Sequence, residues 1–392
     1  MRQTFKVLIV LLFVFPFIIV PDLLTHAQTS GSEWTSSDLS RITFTEIQGY
    51  WTKVVDEYGG YLPEIRKGTF MEFMQHRESI SIKDWTFGLL KYLFYEFIMN
   101  GKLLGTLLFL TLFCMLLQSL QNAFENQAVS KVAYAIVYLV LIALALNSFH
   151  LAVSYAKEAI ELMSSFMIAL LPLMLGLMAT FGNLIAVSFF HPVIIFLIHA
   201  SGLLISNIVL PLFFLSALLT IVSTINDQYK VTQLAQLLRN AGLGIMGVFL
   251  TVFLGVISVQ GAASAIQDGV AMKTAKFVTG NFVPVVGRMF TDATDTVLSA
   301  SLLLKNTVGI VGVIIILGLA LFPAIKVLAV ALIYKLAAAV LQPIGGGPVI
   351  TSMEIISKHI LYVFAALLVV TFMFFLAIVI LVASSNLTMM IR

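Results

Sequence analysis

Several residue types that often carry chemistry are present in this chain, but their spacing forms no familiar reactive site. His191 and His199 are eight residues apart with Pro192 between them, and no carboxylate or cysteine accompanies them at the spacing of metal ligands. The single cysteine, Cys114, lies in an apolar run and cannot form a disulfide within one chain. No His-Glu-x-x-His motif or nucleophile elbow occurs. We therefore expect a protein that is not an enzyme and that uses no cofactor or metal.

Three consecutive glycines near the end of the chain raise the question of phosphate binding. They lie in the segment AAAVLQPIGGGPVITS, residues 337–352. A phosphate-binding loop needs a lysine and then Ser or Thr after its glycines, but Gly347 is followed by Pro348 and no lysine occurs before Lys358. The segment is either a tight turn or a re-entrant break whose free backbone groups line a polar cavity. Glycine flexibility and two prolines favour the turn.

Charges inside apolar stretches are the usual mark of a transport pathway in a membrane protein. Lys326 and Lys335 lie deepest, nine residues apart, and neither has an acidic residue as an obvious partner within its own stretch. An ion-coupled carrier normally has more intramembrane charge than this. A secondary transporter or permease for a small solute therefore stands as the alternative function rather than the preferred one.

The elements that hold these residues are set by an unusually apolar composition. Apolar residues make up 60% of the 392 residues and charged residues 10%, against roughly 45–50% and 25% in soluble domains. Several stretches are long enough to cross a bilayer. The net charge of +3 is spread thinly, so no nucleic-acid partner is expected. We predict an all-α fold: a polytopic membrane protein of about 7–9 spans in residues 101–392, with the lipid bilayer as its surroundings.

The first hundred residues differ from the rest. Residues 1–27 have basic residues, a short apolar core and small residues at the usual spacing, which predicts a signal peptide cleaved after Ala27; an uncleaved anchor is the alternative. Residues 28–100 then form a small amphipathic helical region outside the cytoplasm. Its aromatic and charged residues indicate either a partner-binding face or a membrane-lying stalk packed on its own core.

Nine spans are assigned from hydropathy. The pairs within 184–225 and 306–342 could each be a tilted hairpin or a broken helix. Counting from an external residue 28, this order leaves Arg392 in the cytoplasm and places Lys326 on the cytoplasmic side. The assigned spans are 103–120, 132–150, 162–181, 184–203, 205–225, 241–261, 306–325, 327–342 and 360–384.

Residues 262–305 are too polar for a span and too apolar for a soluble loop. Asp292 and Asp295 are three residues apart and share one helical face, while earlier residues interrupt the preceding helix. The segment is either a connector on the membrane surface or an element that lines a conduit or contacts another subunit. The candidate conduit or contact residues, including those of the glycine segment, are Asn281, Pro284, Gly287, Asp292, Asp295, Lys305, Gln342, Pro343 and Gly345.

Two stretches of this sequence resemble a known family. KFVTGNFVPVVGRMFTDATDTVLSASLLLKNTVGIVGV, residues 276–313, and YKLAAAVLQPIGGGPV, residues 334–349, resemble signatures of the stage III sporulation protein AE family. The order of parts, from signal peptide to polar region to many spans, is also similar. The resemblance implies a non-enzymatic, multi-pass subunit in the mother-cell-derived outer forespore membrane, with its N-terminal region between the two membranes.

The resemblance also implies partners. In that family the protein works with other subunits of the stage III sporulation complex, including a secretion-type ATPase and ring-forming proteins, and a membrane insertase is associated with it. Together they form a channel or secretion-like apparatus between mother cell and forespore that supports late forespore gene expression. Homo-oligomerisation is a separate hypothesis from the residues: Gly101 and Gly105 form a small-xxx-small face of the kind that lets helices approach closely.

Overall fold

The computed structural model describes residues 45–61, 82–123, 128–180, 184–225, 230–282, 286–345 and 347–390. Within these ranges the side chains of 262–305 and of a few helix ends lie outside the described part, as does the predicted signal peptide. The described residues are almost all α-helical, so the predicted all-α class is confirmed. The α-helices are α1 Thr45–Tyr58, α2 Ile82–Met99, α3 Gly101–Ala123, α4 Ala128–Thr180, α5 Leu184–Leu204, α6 Leu210–Ile225, α7 Thr232–Phe282, α8 Val286–Leu341 and α9 Pro348–Met390.

Six helical segments of the described residues are long and apolar enough to cross a membrane. They cover the nine predicted spans. Three of the segments each contain two predicted spans, because the break predicted between those two spans does not occur. The six segments are Gly101–Leu120, Lys131–Ala179, His191–Thr224, Thr232–Gly261, Asn306–Leu341 and Pro348–Ala383.

The predicted break between the spans 132–150 and 162–181 does not occur, because α4 is one helix of 53 residues. Its middle keeps the helical spacing of buried residues, with Ala152, Ala156 and Ile160 all fully buried against the core. Glu158 and Glu161, the acidic residues between the two predicted spans, lie on the exposed side of this continuous helix. At about 1.5 Å per residue, α4 is about 80 Å long.

Residues 306–342 likewise do not divide at Lys326, since α8 continues from Val286 to Leu341. By contrast, the predicted joint near residue 204 is a local distortion: the π-helical turn Ile205–Val209 connects α5 to α6. Pro211 follows this turn. A proline lacks the N–H that a regular helical hydrogen bond needs, and the wider turn accommodates that loss without ending the helix.

The core of the molecule is formed by α8 and α9, which run antiparallel, with α4 antiparallel to α8 beside them. Nearly all of Asn306–Leu341 is buried. Ser357 in α9 donates a hydrogen bond to the carbonyl of Ala331 in α8 at 2.8 Å. Tyr334 in α8 donates one to Ser148 Oγ in α4 at 2.9 Å. Both pairs are buried, so each bond satisfies polar atoms that would otherwise be costly in an apolar interior.

Glycines set the closest approach in this core. A Cβ at Gly309 would overlap Val382 of α9, and one at Gly312 would lie 2.9 Å from Leu170 of α4. In contrast, α3 and α7 lie at the periphery and expose much of their apolar surface. The fold is therefore a buried antiparallel pair, α8 and α9, with α4 packed beside it and further helices around it whose apolar sides face outward.

Candidate functional site

The structure places five of the nine predicted site residues in the last turn of α7 and the first half of α8. Asn281 is in the last turn of α7, and Gly287, Asp292, Asp295 and Lys305 are in the first half of α8. Their side chains lie outside the described part. The predicted interruption lies outside the described residues, between Phe282 at the end of α7 and Val286 at the start of α8.

Pro284 itself is among the undescribed residues between these two helices. A conduit-lining or subunit-contact role for the whole group stays a prediction.

Gln342, Pro343 and Gly345 lie in the connection between α8 and α9. The amide of Gln342 donates to the carbonyl of Ala338 at 3.0 Å, and the amide of Ile344 to that of Leu341 at 3.0 Å. Gln342 and Pro343 are exposed. The described residues of this segment thus cap the end of α8 and reverse the chain direction.

A buried hydroxyl cluster lies next to this turn and joins three helices. The hydroxyl of Tyr138 in α4 is 2.8 Å from Ser352 Oγ in α9 and 3.0 Å from Thr224 Oγ1 in α6. Ser352 also donates to the carbonyl of Pro348 at 2.8 Å. These bonds hold the first turn of α9 against α4 and α6, and they give the turn a fixed position.

A second cluster joins the polar N-terminal region to the core, and we call it the tyrosine cluster. The ring of Tyr58 in α1 stacks on Phe322 in α8 with centroids 3.9 Å apart, and Tyr92 in α2 meets the same ring edge-on at 5.0 Å. Tyr61 contacts Tyr92 at 4.9 Å. The tyrosine cluster consists of Tyr58, Tyr61, Tyr92, Tyr95 and Phe322.

Lys326 lies one helical turn beyond Phe322 and has an acidic partner after all. Its Nζ is 3.6 Å from Glu57 Oε1 in α1 and 5.8 Å from the ring centroid of Tyr155 in α4. The hydroxyl of Tyr58 donates to the same Glu57 oxygen at 2.7 Å. The nine-span order puts α1 outside the cytoplasm and Lys326 on the cytoplasmic side. That arrangement is incompatible with the contact between Lys326 and Glu57 of α1.

Burial, together with nearby carboxylates, raises the pKa of the cluster's buried tyrosines and keeps them protonated. Burial raises the pKa of Tyr58 well above its usual range, and its hydrogen bond to Glu57 and the nearby charges of Glu158 and Glu96 raise it further. Burial likewise raises the pKa of Tyr92, with hydrogen bonding to Glu96 as the next cause. Both phenols therefore act as hydrogen-bond donors to carboxylates, and the cluster is an attachment point rather than a proton-transfer site.

Sequence reasoning missed this contact because its members are far apart along the chain. The apolar stripe of α1 was visible in the sequence, and Ile47, Trp51 and Val54 are indeed buried. Glu57 follows that stripe directly, next to Tyr58. An acidic residue at the edge of a packing face is the signal that could have suggested a partner for a buried lysine elsewhere.

One serine and one histidine approach each other in the core, where a hydrolase would place a nucleophile and its base. Ser216 Oγ donates to the carbonyl of Ala235 at 2.7 Å and lies 3.1 Å from His359 Nε2. His359 Nδ1 is 2.8 Å from the carbonyl of Ile355. An activated serine gives its proton to an imidazole that a third group orients, usually a carboxylate. Here the proton goes to a backbone carbonyl, so the contact joins α6, α7 and α9 instead.

The described side chains include no group of three His, Cys, Asp or Glu residues that could hold a metal ion. A small cavity between α8 and α9, of about 20 Å³, is lined chiefly by apolar groups. It has room for about one water molecule. Its lining includes Asn306, Gly309, Val313, Ile378 and Val382.

These features define a helical integral membrane protein whose apolar helices surround a tightly packed centre. The family model for stage III sporulation protein AE matches residues 65–385. Stage III sporulation protein AE of Bacillus subtilis (strain 168) is 60% identical over 369 residues, covering 94% of this chain and 92% of that protein. The chain belongs to the stage III sporulation protein AE family, as the sequence resemblance indicated. No solved structure matches it.

Proposed function

We propose that this chain is a membrane subunit of a channel-like, secretion-like assembly that links the mother cell to the forespore and supports late forespore gene expression. Family membership supports the sporulation role. The resemblance of residues 276–313 and 334–349 to family signatures supports the more specific assignment to the outer forespore membrane. The expected partners are a secretion-type ATPase, ring-forming subunits and a membrane insertase.

The structural observation that carries a subunit role is the outward face of α7. Residues 247–259 read GVFLTVFLGVISV, which places Gly247, Thr251 and Gly255 one above another. Nothing lies within 4 Å of a Cβ built at either glycine, and the neighbouring Val248 is 66% exposed. Small residues beside β-branched ones allow a second helix to approach closely in lipid, so this face suits contact with another subunit.

The start of α3 carries a second face of this kind. Gly101 and Gly105 also have no atoms within 4 Å of a built Cβ, and Phe109 one turn later is 69% exposed. Helices α8 and α9 are thus buried within the chain. The glycine-containing faces of α3 and α7 make no contact with the rest of the chain at these positions. Such a division between a packed centre and open helix faces is what a scaffold subunit requires.

Leucine substitutions test this proposal. We expect Gly247→Leu with Gly255→Leu, and separately Gly101→Leu with Gly105→Leu, to reduce co-purification of partner subunits from sporulating cells and to lower the detergent-stable mass in sizing chromatography with light scattering. Gly176→Leu is the matched control, because Gly176 is also helical and open but lies on α4. Unchanged partner recovery and unchanged mass in both double variants would contradict the proposal.

A reporter of late forespore transcription completes the test. Variants that lose partner subunits should lose reporter expression, whereas Gly176→Leu should keep it. The transporter alternative makes the opposite prediction: the purified chain in liposomes would accumulate a solute, and Lys326→Met or Lys335→Met would abolish that uptake. Lys326 is already engaged by Glu57, so we expect no such flux.

A further inference from the structure

We propose that α2 is a membrane-surface helix that binds the headgroup layer of the bilayer, with its lysines contacting the phosphates of anionic lipids. This helix is not among the segments long and apolar enough to cross a membrane. The inference goes beyond the proposed function, because it concerns what surrounds α2 whether or not the chain assembles with partners.

Two opposite faces of α2 are apolar. The inner face packs on α8 through Trp85 and Tyr92, which are 5% and 4% exposed. The outer face follows the helical spacing of three and four residues, so its side chains form one stripe along the side away from α8. The stripe consists of Phe87, Leu90, Phe94 and Ile98, which are 70%, 52%, 66% and 78% exposed.

Contact with lipid explains the stripe because α2 leads directly into a membrane-length helix. Only Asn100 separates it from α3, and the Asn100 side-chain amide donates to the carbonyl of Glu96 at 2.9 Å. The backbone amide of Asn100 donates to the carbonyl of Glu96 at 3.0 Å and that of Leu104 to the carbonyl of Asn100 at 3.3 Å, so the helical turn continues from α2 into α3 and their outward faces stay aligned. Phe109 and Leu116 of α3 continue the exposed apolar surface. The stripe is thus continuous with a surface that lipid covers.

The charged residues of α2 indicate how deep the helix lies in the bilayer and which lipids it contacts. Lys83 precedes Phe87 by one turn, and Lys91 flanks the stripe; both are exposed. Lys102 is exposed in the first turn of α3, and Asp84 is the exposed acid at the start of α2. Aromatic rings sit at the headgroup level, while lysine stems lie along apolar surface and extend their ammonium groups to phosphates. Lys83, Lys91 and Lys102 stand against two acids, Asp84 and the half-buried Glu96, so the net charge of this stretch is +1 (3 − 2), which anionic lipid complements.

Spin labels in the full chain test the contact. In a Cys114→Ala background, Phe94→Cys carries a nitroxide in vesicles of phosphatidylcholine with phosphatidylglycerol. We expect relaxation by oxygen, which concentrates in lipid, to exceed relaxation by a water-soluble nickel chelate several-fold at this site. Asp56→Cys on the exposed polar side of α1 is the control and should show the reverse. Equal values at Phe94 and Asp56 would overturn the proposal.

Shielding of the Phe94 label from both reagents in the purified chain would also overturn it, because protein would then cover the stripe. The role of the lysines is tested by changing the lipid. Removing phosphatidylglycerol should lower the ratio of oxygen to nickel accessibility at Phe94, and Lys83→Gln with Lys91→Gln should make the ratio independent of lipid charge. Lys335→Gln with Lys358→Gln, two exposed lysines elsewhere, should leave that dependence unchanged. A lysine double variant that keeps the full lipid dependence would exclude the anionic contact.

Discussion

At the residue scale, the attachment of α1 depends more on its rings than on its charges. Glu57 is 45% exposed and Lys326 26%, and ion pairs as open as this contribute about 0.2–1 kcal/mol. An aromatic pair such as Tyr58 and Phe322 contributes about 0.5–1.5 kcal/mol beyond the area that it buries. Burial of Trp51 on the same face adds a larger apolar term. The ion pair therefore selects the register of α1 while the apolar contacts hold it in place.

The raised pKa of Tyr58 makes the stability of this attachment depend on pH. The folded chain holds the Tyr58 proton at pH values where the unfolded chain releases it, above about pH 10. The stabilisation is therefore complete below that pH and is lost as the pH rises further. We expect the melting temperature of the purified chain to fall above about pH 10, and Tyr58→Phe to make that fall shallower.

Tyr95→Phe is the control, since this half-exposed ring lies on α2 in the same cluster. The measurement is thermal unfolding followed by tryptophan fluorescence, to which the buried Trp51 of α1 contributes. If Tyr58→Phe and the unaltered chain lost stability in parallel across the alkaline range, the phenol would not be the group responsible.

At the scale of elements, one glycine of α8 sets the distance between α1 and the core. A Cβ at Gly318 would lie 2.7 Å from Val54 Cγ1 and 3.3 Å from Val54 Cγ2. Valine is stiff about χ1, so Val54 cannot easily turn away. The apolar face of α1 thus fits α8 only because position 318 has no side chain.

Gly318→Ala should therefore detach α1. Overpacking of this kind costs about 1–3 kcal/mol, whereas alanine in place of a helical glycine gains about 1 kcal/mol, so we expect a small net loss of stability. Faster hydrogen exchange confined to α1 is the measurement. Gly244→Ala, at an open position of α7, should gain stability without that change. Val54→Ala in the Gly318→Ala chain should restore slow exchange; an undisturbed α1 in Gly318→Ala alone would refute the fit.

At the scale of the whole molecule, the centre is one antiparallel helical pair closed by a short turn. Gly347 has φ of +143°, a backbone conformation that residues with a side chain rarely adopt. Gly345, two residues earlier, has only ordinary contacts with Met115 and no such φ. The turn thus depends on a glycine at one position of the run and not at the other.

Gly347→Ala should destabilise the entire bundle, because α8 and α9 form its centre. We expect a loss of about 1–3 kcal/mol in the free energy of unfolding, measured by denaturant titration in mixed micelles. Gly345→Ala should change that free energy by less than about 0.5 kcal/mol, as substitutions away from special positions usually do. Equal effects at both positions would mean that the backbone at Gly347 is not under this constraint.

Patterns within short stretches of sequence predicted the helical class and the packing face of α1. Contacts between residues far apart along the chain could not be predicted in this way. Composition and helical spacing identify the all-α class and the packing face of α1. They do not reveal that α4 and α8 continue through Glu158 and Lys326, because a charge in an apolar run resembles a loop until its partner is known. Glu57 supplies that partner for Lys326 from 269 residues away, the difference between positions 326 and 57. No pattern within one helix carries that information.

The unbroken length of α4 has a mechanical consequence. Tyr50 of α1 rests on Phe166 with ring centroids 5.3 Å apart, while Tyr138 of the same helix anchors the hydroxyl cluster beside the α8–α9 turn. These two points are 28 residues apart (166 − 138), or about 42 Å along the axis. No hinge loop lies between them. A displacement of α1 is therefore transmitted to the hydroxyl cluster beside the α8–α9 turn through one continuous helix.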